Sequence, residues 1–162
     1  MTFTLRPFQP ADAPLLADLY ARSVRHFGPR GYTPAQVAAW AATADAGALA
    51  ARLGDGRWTA VAVDANNAPL GFVDLAVQAD DSRHGHIDLL YIAPEAAGTG
   101  LGTQLLAAVT AQARQVGLTQ LSVHASELAR PLFLRHGFRE LRRNNLRLGE
   151  VPIHNYRLEK TL

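Results

Sequence analysis

The chain of 162 residues contains no cysteine. Disulfides, thiolate metal sites and a cysteine nucleophile are therefore excluded. No apolar run approaches the ~20 residues that span a bilayer. The opening Met1-Thr2-Phe3-Thr4-Leu5-Arg6 also lacks the basic start and apolar stretch of a signal peptide. The expectation is a cytoplasmic protein with no membrane partner. Charge of one sign is scarce as well: 16 Lys+Arg stand against 14 Asp+Glu, a formal charge of +2. That near balance argues against a nucleic-acid partner. Internal repeats, low-complexity segments and linkers are missing. With 48% hydrophobic residues, the expectation is one domain over residues 1–162 with a substantial core.

Glycine, by contrast, is concentrated. Gly98-Thr99-Gly100-Leu101-Gly102 follows an apolar strand, Ile87-Asp88-Leu89-Leu90-Tyr91-Ile92, and precedes a helical pattern from Leu101 to Val116. Such a turn leaves backbone N–H groups open at a helix start that favours negative charge, a phosphate cradle. It also reads as a tight turn with close helix–strand packing, and the spacing alone does not choose. No Gly-Lys-Ser/Thr follows, which excludes a P-loop. The late position, with no acidic residue about 20 positions on, excludes a dinucleotide fold.

Along the chain, Phe3 to Arg6 alternates as a first strand closed by Pro7. Asp12 is placed to cap a helix running to about Gly28. Thr33-Pro34-Ala35-Gln36 is a capping box that opens a second helix carrying Trp40. The alanine-rich Asp45 to Leu53 is a further helical stretch. Trp58–Val63, Leu70–Val77 and His84–Ile92 read as a three-strand meander. Leu121–His124 lies parallel to the strand before the central helix. Ser126 opens a helix through Phe133, and Phe138–Leu148 with Ile153–Leu158 form a last strand pair around Gly149. The expected order is β-α-α-β-β-β-α-β-α-β-β, an α/β (α+β) fold.

Leu90-Tyr91-Ile92-Ala93-Pro94, the turn Ala97 to Gly102, and Ala129-Arg130-Pro131-Leu132-Phe133-Leu134-Arg135-His136-Gly137-Phe138 resemble the GNAT superfamily of N-acetyltransferases over nearly the full length. The resemblance implies the GNAT fold, a mixed, mostly antiparallel sheet of about seven strands flanked by helices. It implies acetyl-CoA as co-substrate, with the diphosphate on the backbone of Gly98, Thr99, Gly100, Leu101, Gly102 and Thr103. The pantetheine arm would then run along Leu90, Tyr91 and Ile92, where this strand splays from Leu121–His124. Ala97 replaces a usual Gln or Arg, and Thr99 a frequent basic residue. Ser126 stands at a usual asparagine position near the arm. Phe133 takes the usual tyrosine position, so the family's commonest general acid is absent.

An amine of pKa ~10.4 must lose a proton before attacking a thioester. His86 and Asp88, two apart on the central strand, are expected to share a face with Leu90. His86, alone or through water, would take the proton while Asp88 orients it or binds the amine's charge; a structural polar face explains the same pair. His84, His86 and Asp88 are acceptable metal ligands by type, but three so close on one strand rarely complete a coordination sphere, and no metal is expected. Tyr156, Ser126 and Tyr32 offer hydroxyls for the leaving thiol, and Tyr156 joins His86 and Asp88 as a candidate catalytic residue. Tyr32, Trp40 and Asn155 are candidate acceptor-lining residues. The expected activity is direct transfer of acetyl from acetyl-CoA to a primary amine of a small molecule or protein. A non-catalytic acyl-CoA sensor or interaction module is the rival. The edge strands of the last hairpin are compatible with a homodimer.

Overall fold

In the computed structural model, which describes residues 1–162, strand β1 (Thr4–Pro7) pairs antiparallel with β2 (Trp58–Val63), and β2 with β3 (Pro69–Val77). Three helices lie between β1 and β2: α1 (Ala13–Phe27), α2 (Pro34–Ala41) and α3 (Ala46–Leu53). The alanine-rich stretch is thus a helix beyond the two of the expected order. Thr33 and Gln36 close the capping box of α2, and Asp45 caps α3 by accepting the Ala48 N–H at 2.8 Å. Asp12 does not cap α1. Its carboxylate accepts from the Arg6 guanidinium and from the Gln9 N–H, all at 2.8 Å, tying β1 to the helix start instead.

The third meander strand is broken into β4 (His84–Ile87) and β5 (Leu90–Ile92). His86 lies opposite Ala76 and Leu90 opposite Val73, so β3 is one residue short of the strand facing it. A buried carboxylate causes the break. Asp74, 0% exposed, accepts the N–H groups of Asp88 and Leu89 at 2.9 and 2.8 Å, bonds that the ladder would otherwise satisfy.

Beyond it come α4 (Leu101–Gln115), β6 (Gln120–Ala125), α5 (Arg130–Arg135), β7 (Arg139–Leu148) and β8 (Val151–Thr161). Helix α5 begins later than Ser126 suggests, because that hydroxyl accepts the Ala129 N–H in a turn before the helix. The sheet runs β1-β2-β3-β4-β6-β8-β7, with β5 on β3 and β4–β6 parallel, eight strands in all. One face packs on α4 and α5 through Leu105, Val109, Leu121, Phe133 and Leu158. The other packs on α1–α3 through Leu16, Tyr20, Val61, Phe72 and Leu89. Strand alternation puts His84, His86, Ser122, His124 and Arg157 on that second face, on the β4–β6–β8–β7 side where helical cover thins out to α2 against β8.

Candidate active site

Strands β4 and β6 stay paired from His84/Gln120 to Ile87/Val123. There they part: β5 follows β3, while β6 continues along β8 at His124/Arg157 and Ala125/Tyr156. The outer edge of β5 is therefore left without a partner strand. A cavity of about 450 Å³ opens at the gap, lined by Leu90, Tyr91, His124, Ser126, Ala129 and Phe133. Its far wall is aromatic. Trp40 Nε1 donates to the Tyr91 hydroxyl at 3.2 Å, Tyr20 stacks on Tyr91 at 4.1 Å between centroids, and Tyr32 meets Trp40 edge-on.

At one end of β5 lies the glycine turn. Gly98 and Gly100 take φ values of 73° and 83°, and a Cβ built on either meets no atom within 4 Å. The backbone conformation, not crowding, calls for glycine at both. Gly100 precedes α4 without a capping side chain, and the N–H groups of Leu101, Gly102 and Thr103 have no acceptor within the helix. Thr99 turns its hydroxyl back onto the Ala96 carbonyl at 2.6 Å, which leaves the cradle to the backbone.

On the open face, His86 Nδ1 and His84 Nε2 lie 2.7 and 2.9 Å from one acceptor and donor, the buried Ser122 hydroxyl. Burial, then the neighbouring His124, pushes the His86 pKa down to about 4, so its ring is neutral at pH 7. The His124 ring meets it edge-on at 5.0 Å and stands on the cavity wall, in front of His86. Asp88 also lines the cavity, with Oδ2 3.1 Å from Arg57 Nη1 and 3.6 Å from Arg52 Nη1. The break after β4 undoes the expected shared face. Leu90 and Ile92 pack toward α4, whereas Leu89 and Tyr91 pack toward α1–α3, so His86 and Leu90 lie on opposite faces. His84, His86 and Asp88 do not converge, and no cluster of three such side chains is arranged as a metal site.

Tyr156 is not on the cavity wall. Its hydroxyl donates to Glu127 Oε1 at 2.6 Å, the same oxygen that His154 Nε2 approaches at 2.7 Å, and the bond to Glu127 raises the phenol's pKa. Tyr32 lines the cavity, donating to the His154 carbonyl and accepting the Glu127 N–H. Asn155 lines it too, held by Asn144 Nδ2 at 2.9 Å. Sequence reasoning missed His124, Arg52, Arg57 and Asp74. His124 was within reach, two residues after Ser122 on the strand expected beside His86; the other three meet the site only through the break in the strand.

A profile described as an acetyltransferase (GNAT) domain matches residues 30–160. The chain belongs to this family. As a GNAT acetyltransferase it is an acyltransferase, and it is 29% identical over 144 residues to the uncharacterized N-acetyltransferase YafP of Escherichia coli (strain K12), spanning 88% of this chain and 85% of that one. The crystal structure of a GCN5-related N-acetyltransferase from Rhodopseudomonas palustris is 32% identical, with a TM-score of 0.88 over 100% of this chain and 97% of the other. PaiA N-acetyltransferase from Thermoplasma acidophilum, solved in complex with coenzyme A, shares the fold at 15% identity and a TM-score of 0.80, with 100% of both chains covered. No helix of this GNAT chain is long and apolar enough to cross a membrane.

Proposed function

We propose that this chain, as one domain over residues 1–162, moves the acetyl group of acetyl-CoA directly to a primary amine. The observation that carries this is the unpaired edge of β5 lying in line with the open N-terminus of α4. An unpaired strand edge offers backbone donors and acceptors to the amides of a pantetheine arm, and a helix N-terminus offers N–H groups to a diphosphate. Leu90, Tyr91 and Ile92 would hold the arm; the backbone of Gly98, Thr99, Gly100, Leu101, Gly102 and Thr103 would hold the diphosphate. Ser126 and Phe133 flank the arm's far end. Acetyl-CoA supplies an activated thioester, whose thiol of pKa ~8.5 leaves as a fairly stable anion. A chain with Phe133 in place of an acid is therefore competent.

The residues around the gap serve the amine. Asp88 faces the ammonium charge from the cavity wall. Burial lowers the pKa of both His124 and, behind it, His86, so their rings are neutral and relay the amine's proton toward solvent, directly or through water, without retaining it. Tyr32, Trp40 and Asn155 shape the acceptor end. Tyr156 fixes Glu127 and His154 at the rim rather than facing the reacting atoms. Having no cysteine, the chain carries no acyl-thiol intermediate, so both substrates meet in a ternary complex.

The test combines binding with turnover. At about 100 times its Kd, acetyl-CoA adds roughly 2.7 kcal/mol of stability, a visible rise in Tm, and thiol release should then depend on added amine. A Tm unchanged by acetyl-CoA defeats the proposal.

A further inference from the structure

The open sheet face also carries a charge arrangement that acetyl transfer to a simple amine does not need. In β7 the register against β8 slips at Leu141: Glu140 lies opposite Leu158, but Arg142 lies opposite Arg157. Before the slip, Glu140 faces the α5 side and meets Arg130. After it, even-numbered residues face the open side, where Asn144 bonds Asn155. A bulge of this kind re-aims a side chain, and here it sets two guanidinium groups on neighbouring strands. Like charges directly opposite one another destabilise a sheet.

Both arginines retain unused donors. Arg157 gives Nη2 to Glu159 at 2.9 Å, yet its Nε is buried with no acceptor. Arg142 touches only the Asn144 side chain, at 3.1 Å, and has no carboxylate partner. The nearby carboxylates turn to other cations than Arg142, and of them Asp88, 35% exposed on the cavity wall, keeps room for a further charge. Asp55 and Asp74 hold Arg57, Asp88 holds Arg57 and Arg52, and Glu159 holds Arg157 and Gln120. His124 stands between the two charge centres. It is opposite Arg157 in register and on the cavity wall; burial, then Arg157 and Arg142, lowers its pKa, and Asp88 raises it.

We propose that the acceptor is a small primary amine that also bears a carboxylate or similar oxyanion, the anion received by Arg142 and Arg157 and the ammonium group by Asp88. This rests on the transferase function proposed above and names the substrate class of the same site. The guanidinium fork matches a carboxylate in two parallel hydrogen bonds. Asp88 follows β4 and Arg157 lies on β8, two strands across the sheet and ~10 Å away at the backbone, so the anion and the amine belong to one small molecule in which a short chain separates them.

The test measures thiol release from saturating acetyl-CoA with matched acceptors: an amino acid, its carboxamide, the decarboxylated amine, and a lysine-containing peptide blocked at both ends. The carboxylate-bearing member should lead by about 10-fold or more in kcat/KM, the worth of one charge-assisted pair. Arg142→Gln, an exposed change on an edge strand, should shrink that lead about 10-fold through KM while the Tm rise with acetyl-CoA persists; Arg157→Gln should do the same. Equal rates across the matched set, a preferred blocked peptide, or a lead unaffected in R142Q would overturn the inference and leave the transferase standing. No thiol release with any amine, despite a Tm rise, would defeat both.

Discussion

Asp74 shows what a single buried carboxylate can decide. It has no exposure, holds two backbone N–H groups at the strand break and takes Arg57 Nη1 at 2.8 Å. Arg57 keeps Asp55 and Asp88, but removing Asp74 leaves two N–H groups without an acceptor, about 1–3 kcal/mol each, so Asp74→Ala should lower Tm by roughly 10 °C. Asp74→Asn, which keeps an acceptor for the N–H groups, should cost less; thermal melts of the two variants check the order. His86 works in the opposite electrostatic sense. Its folded pKa of about 4 lies below the ordinary histidine value, so below pH ~6.5 the unfolded chain binds the proton that the folded chain refuses. Its contribution to stability is therefore complete above pH ~6.5 and is lost as the pH falls toward its folded pKa. His124, lowered in the same direction, adds to this. His86→Gln should flatten the decline, read from urea midpoints between pH 7 and pH 4.5. In turnover, His86→Ala should lower kcat/KM by more than about 3-fold and alter its pH profile; a smaller change with the profile intact removes His86 from the proton path.

The turn into α4 is where the proposed ligand chemistry meets an element of the fold. Gly100 holds φ 83° with open space around its Cα. A Gly100→Ala change costs about 1 kcal/mol in backbone strain, which shifts the turn that presents the N–H groups of Leu101 and Gly102. Acetyl-CoA affinity should drop by about 10-fold, well beyond the small change in Tm, as calorimetric titration would show; equal affinity would remove the turn from the cradle. Most elements were legible because their signals are local. The Thr33/Gln36 box, the alternation of β2 and β3 and the turn at Gly149 each depend on residues a few positions apart. The break between β4 and β5 was not legible. Asp88 and Leu89 are drawn out of the ladder by Asp74, a residue from another strand, and no periodicity within Ile87–Ile92 records that. The same non-local cause moved Leu90 off the face of His86. The slip at Leu141 escaped for a similar reason, since a run of exposed polar residues gives no pattern by which to read register.

Across the whole molecule, the proposed donor side rests on the glycine turn and the strand feeding it, one continuous stretch of the chain. The proposed acceptor side draws on α1–α3, β6 and β8, segments far apart in the chain, and only folding brings Arg52, His124 and Asn155 around one opening. The sheet also consists of two wings. Strands β1, β2, β3 and β5 make one; β4, β6, β8 and β7 make the other; between them runs the short pairing of Ala76 and Val77 with His86 and Gly85. Mechanically this is a book with a short spine, open at the edge where Leu90–Ile92 face no neighbour. A ligand lying along that edge would act as a clasp, so deuterium uptake at the amides of Leu90–Ile92 and His124–Ser126 should slow together when acetyl-CoA is added, while β1 and the outer edge of β7 stay unchanged.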